Sequence, residues 1–583
     1  MTTKTTEILD RWSPVLTGIV AVPLLILTPS PFLHLIAVLF VLLLLRIGWR
    51  QGGAEIQDGG RGTLLLIALV SVLGGAIRSY GINFGLPDLY HPDELGKAEI
   101  VRAMIRSGSW NPNYFQHPSL LLTLTALFAS ALADLGLVGR GIGGIVLSGR
   151  VVSLVAGTIA IPLLYCVGAI ASGKRTGVLA ATLLAVAPLH ITCSRYLKED
   201  ALLVTMALLA TLCILRALRN PARKELLLAG VTVGLASGTK YSALALWLLL
   251  PLIPSVSARN YRPSGPLALS AALALLSAVI GFLIATPYAL LDFGGFLAGI
   301  RYERDHLLGG HDGAISVWSQ LWTYHVVRTM PPAISILTTG LAWCGVGLLA
   351  RRAFRDHLPP RSELPPYSTV LFAIFLLFYL PAEWAPSKPA PQPERYLMAA
   401  LPFLLLGAGA FVGSLALRTQ LLLMGCALTL MTTRSVTLAS HIAPDTRVQM
   451  ANWIRERVPK GSTILIDRAP YSAALRKRDA IRREHIEHPL QLTDLGIESL
   501  KARKVDFLLL SGFTFDRYFT EPGAPIEYRE AFKRIFNTFP VVHAIADPAG
   551  EYGFHNPPLF LLSMGGEPTP LTTPTTPVSS LTR

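Results

Sequence analysis

Tyr90-His91-Pro92-Asp93-Glu94 decides how this chain is read. The stretch follows an apolar run, Gly62 to Ile77, that is long enough to cross a bilayer. It puts two adjacent carboxylates where that run ends. Acidic side chains parked at a membrane edge are expensive to desolvate, so they point to chemistry or ion handling more than to structure. A second polar landmark, Phe115-Gln116-His117-Pro118, stands just before the next apolar run. Between the two, Ala98, Ile100, Val101, Met104 and Ile105 alternate with Lys97, Glu99, Arg102 and Arg106. That pattern predicts an amphipathic helix lying along the outer membrane surface. Asp93 and Glu94 at its N-terminus are favoured by the helix dipole and would supply an N-cap.

The rest of the composition agrees with a membrane setting. Of 583 residues, 52% are hydrophobic and only 15% charged, with a mean hydropathy of +0.49. This excludes an ordinary soluble enzyme and fits a polytopic α-helical membrane protein. The net charge of +15 reads as cytoplasmic loop bias. No basic stretch interleaved with aromatics suggests a nucleic-acid groove, so no nucleic-acid partner is expected. Cys166, Cys193, Cys213, Cys344 and Cys426 all lie in apolar segments without metal-ligand spacing, as packing thiols do. The N-terminus lacks a signal-peptide cleavage pattern, so its first apolar segments should be retained.

A span needs about 20 apolar residues. Candidates are 62–80, 119–138, 150–171, 176–193, 200–217, 266–290, 333–350, 367–382, 396–414 and 419–438. The 13–47 region reads as two short spans broken at Pro29-Ser30-Pro31, and 225–254 as two short helices meeting at Lys240. This gives roughly thirteen membrane segments. The clusters Arg46/Arg50/Arg61, Arg216/Arg219/Arg223/Lys224 and Arg351/Arg352/Arg355/Arg361 should be cytoplasmic, with Arg418 in agreement. Asp93, the loops 81–118 and 291–330, and everything after 439 then face outward. Strict alternation through 119–193 would put Asp200 inside, against the Arg216–Lys224 cluster. Keeping Asp200 outside requires that one segment between 140 and 193 is not a full span.

After 439 the charges become dense and mixed. Val448, Ala451, Ile454 and Val458 recur at helical spacing, Ser462–Asp467 and Val505–Ser511 read as strands, and Ile497–Lys504 as a helix between them. A small extracytoplasmic α/β domain is expected there. The expected division is an N-terminal hairpin (1–60), a transmembrane module (61–439), the α/β domain (440–563) and a Thr/Pro/Ser-rich disordered tail (564–583).

Other polar residues in apolar surroundings are candidates for a site. Ser194-Arg195-Tyr196-Leu197-Lys198-Glu199-Asp200 opens a span, and an interfacial belt of Arg, Lys and Tyr would look similar. Lys240 lies deep in apolar sequence and needs a counter-charge such as Asp200 or an anionic ligand. Arg395-Tyr396 opens a late span, where arginine can hold a phosphate bidentately or snorkel. Asp305, His306 and His311 are candidates for a divalent metal, although their spacing matches no strong signature. The pattern demands no other cofactor.

These residues together resemble the GT-C superfamily of lipid-phosphosugar-dependent glycosyltransferases. The nearest patterns are those of protein O-mannosyltransferases and the bacterial enzymes that add aminoarabinose to lipid A. Those families carry an Asp-Glu pair in the first outer loop, matched by Asp93-Glu94, and a His-Pro-Pro-Leu-like motif, matched by His117-Pro118-Ser119-Leu120. The O-mannosyltransferases also carry a Ser-Arg-Tyr motif ending in Asp, matched by Ser194-Arg195-Tyr196 with Asp200. Lys240 and Arg395-Tyr396 match later positions. The resemblance covers roughly 60–440; Ser119 replaces the second proline, and the C-terminal part departs from the O-mannosyltransferase insert.

The resemblance implies an inverting transferase in the bacterial cytoplasmic membrane. It would move a sugar from a polyprenyl phosphate to a hydroxyl on a protein, lipid A, glycolipid or envelope glycan at the outer face. Asp93 would be the catalytic base with Glu94 beside it. Lys240, Arg395 and Arg195 would hold the donor phosphate, and His117, Asp200 and Tyr396 would complete the site. The competing reading is a transporter or flippase for a lipid-linked or anionic substrate, with Asp and Lys as a relay.

Overall fold

The protein is described from a computed structural model. It covers 60–257, 266–309, 315–316, 320–355, 365–385, 387–388, 391–476, 479–485, 491–521 and 523–565. The N-terminal pair of spans, His311 and the tail from 566 lie outside the described residues.

Eight helices come first: α1 (Gly60–Ser79), α2 (Pro92–Ser107), α3 (Leu120–Asp134), α4 (Ile142–Ser172), α5 (Lys174–Ala185), α6 (Pro188–Cys193), α7 (Glu199–Arg219) and α8 (Arg223–Ser237). They are followed by α9 (Leu267–Ala285), α10 (Phe293–Gly309), α11 (Ile336–Arg355), α12 (Tyr367–Trp384), α13 (Leu401–Gly413) and α14 (Leu417–Ser440). Among the described residues six helices are long and apolar enough to cross a membrane: α1, α4, α7, α9, α12 and α14. A seventh span arises if His325–Ile334 and α11, bent by 119° at Ser335, count as one. The chain is a mostly helical multi-pass membrane protein.

The helices run so that charge is sorted between the two ends of the bundle. Lys174, Arg175, Arg216, Arg219, Arg223 and the arginines closing α11 lie at one end. The start of α7 and the ends of α1, α8 and α9 lie at the other, beside α2.

One segment that fails to cross is α3. With 15 residues it is about 22 Å long, short of a hydrocarbon core of about 30 Å. Its start is tied to the ends of α8 and α9: Leu120 N–H donates to Gly238 O (3.3 Å) and Ser119 Oγ to Ala285 O (3.2 Å). Its far end feeds α4, where Arg150 already reaches Glu94 beside α2. Both ends of α3 therefore sit at the α2 end. With α3 removed from the alternation, Asp200 falls on the Asp93 side and Arg216 on the other, as the charge bias requires. The 31 residues of α4 span about 46 Å, so this helix overshoots the bilayer. The apolar stretch 176–193 breaks between α5 and α6, where Pro188 cannot continue the helix. A break also falls at Lys240: α8 stops at Ser237 and a 3₁₀ stretch, Tyr241–Leu249, replaces the second short helix.

Beyond α14 the chain builds α15 (Thr446–Arg457), β1 (Thr463–Ile466), β2 (Arg482–His485), α16 (Gln491–Ala502), β3 (Phe507–Ser511), α17 (Gly512–Thr520), α18 (Ile526–Thr538), β4 (Val541–Ile545) and β5 (Leu559–Ser563). The sheet order is β2-β1-β3-β5-β4. β1 pairs parallel with β2 and β3, while β5 pairs antiparallel with β3 and β4. β5 is buried at every position, so it reads as a continuous apolar run, and the edge strand β2 is exposed and charged throughout.

An aromatic layer joins this unit to the helices: Phe84, Tyr90 and Tyr196 from one side, Tyr471, Phe513 and Phe554 from the other. Gly85, at φ +64°, folds the 80–90 loop onto Tyr90, whose ring would lie 2.5 Å from any Cβ there. Arg447, fully buried, ties the layer together. It forms a fork with Asp445 and donates to the carbonyls of Tyr90 (3.2 Å), Pro470 (2.8 Å) and Phe554 (2.6 Å).

Candidate active site

The N-terminus of α2 separates the two carboxylates. Pro92 occupies the first turn, where its missing N–H costs nothing. The N-cap is His91, not either carboxylate: its Nδ1 accepts from Asp93 N–H at 3.2 Å. His91 is buried between the rings of Tyr196 (4.6 Å) and Phe554 (4.2 Å). Burial lowers its pKa to about 4, so the ring is neutral and free to accept.

Successive helical residues point about 100° apart, and here that angle gives the two carboxylates different surroundings. Glu94 turns inward and is completely buried. Arg150 grips it with two bonds, Nε to Oε1 (2.8 Å) and Nη2 to Oε2 (2.6 Å), while Leu197 N–H adds a third at 2.9 Å. Arg150 Nη1 donates to Ile82 O and Phe84 O, both at 2.8 Å. With both oxygens engaged and no access to solvent, Glu94 is a structural strut. Its expected catalytic part is not supported by this position.

Asp93 turns toward the bundle end, and 36% of its side chain is exposed. Its Oδ2 accepts from Lys198 Nζ at 2.5 Å and lies 3.6 Å from Arg395 Nη1. Burial pushes the carboxyl up, but the charges of Lys198 and Arg395 outweigh it and hold Asp93 well below 3.8. Arg395 and Tyr396 sit in a 3₁₀ turn, Pro393–Leu397, that leads into α13.

Two further ion pairs lie beside this one. Lys240 Nζ donates to Asp200 Oδ1 at 2.7 Å, and Lys97 pairs with Glu199. Lys240 keeps 20% of its side chain exposed. The structure thus brings Asp93, Arg395, Asp200 and Lys240 to one end of the bundle. His117 faces Glu199, Lys97, Lys198 and Lys240, and burial lowers its pKa to about 3, leaving it neutral.

Arg195 is elsewhere. It is buried, and its guanidinium donates to Ile77 O (2.6 Å) and Arg78 O (3.3 Å). Those carbonyls end α1 and have no intrahelical donor, so Arg195 satisfies a helix C-terminus. It is corrected from phosphate ligand to helix cap. Of the metal candidates, Asp305 and His306 lie among the described residues, and each has another neighbour. Asp305 pairs with its neighbour Arg304 (2.7 Å) and His306 stacks on Tyr302 (6.0 Å). Among the described residues no three His, Cys, Asp or Glu side chains group as a metal site would.

Residues 140–284 match the family described as dolichyl-phosphate-mannose-protein mannosyltransferase. The match bears out the resemblance to GT-C glycosyltransferases. It contains Arg150, Lys198, Glu199, Asp200 and Lys240, and leaves Asp93 and Arg395 outside. No curated protein matches the chain in sequence. Among solved structures, the oligosaccharyltransferase of Archaeoglobus fulgidus is similar at 13% identity over 84% of this chain and 73% of that one, with a TM-score of 0.47. ArnT from Cupriavidus metallidurans in the apo state is similar at 14% identity over 85% and 97%, with a TM-score of 0.48. The S. cerevisiae protein O-mannosyltransferase Pmt1-Pmt2 complex bound to its sugar donor is similar at 23% identity over 42% and 34%, with a TM-score of 0.32.

Sequence reasoning missed Lys198, Lys97, Glu199 and Arg150. Lys198 stood in the same motif as Arg195, three positions on. The signal available was its place directly before Glu199-Asp200, at the start of a span. Lys97 looked like one charge on a solvated helix face, and its partner Glu199 is distant by 102 positions.

Proposed function

We propose that this protein is an inverting glycosyltransferase that moves a sugar from a polyprenyl phosphate to a hydroxyl acceptor at the outer face of the bacterial cytoplasmic membrane. One observation carries the reading: of two adjacent carboxylates, only Asp93 is accessible, and it lies between Lys198 and Arg395. A carboxylate beside cations at a membrane edge is what transfer from a lipid phosphate needs. Asp93 takes the proton of the acceptor hydroxyl as its oxygen bonds to the anomeric carbon. The bond from that carbon to the phosphate oxygen breaks, and its electron pair leaves with the lipid phosphate. Attack opposite the leaving group inverts the centre. A nearby carboxylate also stabilises the oxocarbenium-like character that builds up. Arg395 and Lys240 hold the phosphate, and His117, Asp200 and Tyr396 line the site.

The sorted charge of the bundle supports the orientation, with the basic end cytoplasmic and the α/β unit (440–563) outside. The 61–439 segment is the catalytic module. Together with the N-terminal hairpin, half-spans such as α5 with α6 bring the count toward roughly thirteen segments. The acceptor is a protein, lipid or glycan hydroxyl.

The test is transfer by purified protein from a panel of polyprenyl-phosphate sugars to envelope extracts, followed by mass spectrometry. A new hexose, pentose or amino-sugar adduct that vanishes with Asp93→Asn supports the proposal. Absence of transfer from every donor, with directional movement of a lipid-linked substrate across vesicles, would establish the transport reading instead.

A further inference from the structure

Two cations share one anion at this site. Lys97 has Glu199 and Lys240 has Asp200, whereas among the described residues Lys198 and Arg395 both form their ion pairs with Asp93, on the same oxygen. A carboxylate that already accepts from an ammonium is a poor proton acceptor, because the bond favours its charged form and occupies a lone pair. Paired in this way, the proposed base is held in a form unsuited to its task.

We infer that Lys198 changes partners during the reaction, leaving Asp93 for the phosphate of the lipid donor, so that donor binding is what frees the base. The inference rests on the transferase reading of this site.

The local construction suits such an exchange. Lys198 has extended backbone (φ −145°, ψ 153°) immediately before α7. That backbone is anchored: its carbonyl accepts from Ser153 Oγ at 3.2 Å and its N–H donates to Tyr196 O at 2.8 Å. The four-carbon stem can then re-aim the ammonium without moving the chain. Arg395 presents a planar fork that matches a phosphate. The charged and titratable groups facing Asp93 are His91 and Lys97 from its own helix, Tyr114 from the following loop, Lys198 from the start of α7, Arg395 from the 3₁₀ turn and Tyr471 from the α/β unit.

Charge balances at each stage. The donor is a phosphodiester with one negative charge, which replaces Asp93 as the partner of Lys198. Asp93 then takes the acceptor's proton and becomes neutral. The leaving polyprenyl phosphate gains the second negative charge and keeps Lys198 and Arg395. Loss of the lipid phosphate and of the proton returns the lysine to the aspartate.

This predicts an effect of unusual sign. Asp93→Asn removes the internal competitor for Lys198, so polyprenyl phosphate should bind about tenfold more tightly than to the unsubstituted protein. The measurement is equilibrium binding of polyprenyl phosphate to the full chain in nanodiscs, with the dephosphorylated polyprenol as control. Lys198→Met should weaken binding about tenfold and erase the gain in the double variant, while Lys198→Arg should retain most of the affinity. If Asp93→Asn accumulates poorly, Asp93→Ser gives the same comparison. Unchanged or weaker binding to both Asp93 variants overturns the exchange, as does a gain that survives Lys198→Met. Absence of phosphate-dependent binding to the unsubstituted protein would overturn the transferase reading itself, so the two failures are distinct.

Discussion

Asp93 and Glu94 are neighbours in sequence with opposite surroundings. Glu94 is sealed, bonded at both oxygens and matched one to one with Arg150. Asp93 is partly open and shares its charge between Lys198 and Arg395. One helical step of rotation separates a buried strut from a partly exposed carboxylate. An acidic pair at a membrane edge is therefore two features, and the direction each residue takes from the helix start tells them apart.

The comparison can be broken by substitution. Glu94→Gln should have the largest effect, because it leaves Arg150 buried without its counter-charge. A loss of about 3–5 kcal/mol is expected, read as a lower melting temperature in nanodiscs and poor accumulation. Equal stability of this variant would contradict the strut. Asp93→Asn should leave melting within a few degrees yet lower sugar transfer by about 100-fold or more. Comparable activity would remove Asp93 as base.

The pH dependence sharpens the same contrast. The depressed pKa of Asp93 means the base form is present above it and lost only as pH falls through it. The acid limb of kcat/KM, which reports the free enzyme, should therefore lie below 3.8. If donor binding removes Lys198, the limb of kcat should lie at higher pH, which parallel initial-rate profiles would show. Arg195→Gln should cost about 1–3 kcal/mol by exposing unmet carbonyls of α1 while the KM for donor stays put. A raised KM would return Arg195 to the phosphate. Smallest of all, Asp88 in the same outer loop pairs with Arg476 at the surface (3.0 Å), and Asp88→Asn should change neither melting nor rate measurably.

Much of this was legible in the sequence. The amphipathic helix after Asp93, the break at Lys240 and the α/β alternation after 440 follow from local pattern, since hydropathy and helical period are local quantities; the Asp200–Lys240 pair was reached only through the need of a lysine in apolar sequence for a counter-charge. The status of Leu120–Asp134 was hidden, because an apolar helix buried against α4 and one crossing a bilayer look alike until length and end contacts are known. The partner of Lys198 was hidden for another reason. It is set by how α2 and α7 meet, a distance of 105 positions, and no composition records that. Arg195 misled because the carbonyls it caps belong to a helix more than a hundred positions upstream.

The Arg447 junction has a consequence for how the protein comes into being. The loop leading to Asp93 is held at Tyr90 O by a side chain 357 positions later, which is itself held through Asp445 and Phe554. Synthesis proceeds from the N-terminus, so the helices enter the membrane long before this clasp exists. The nascent protein carries Asp93, the proposed base, through most of translation without the support that aims it. A chain ended before Asp445 is accordingly expected to insert normally, by protease protection, and to transfer no sugar.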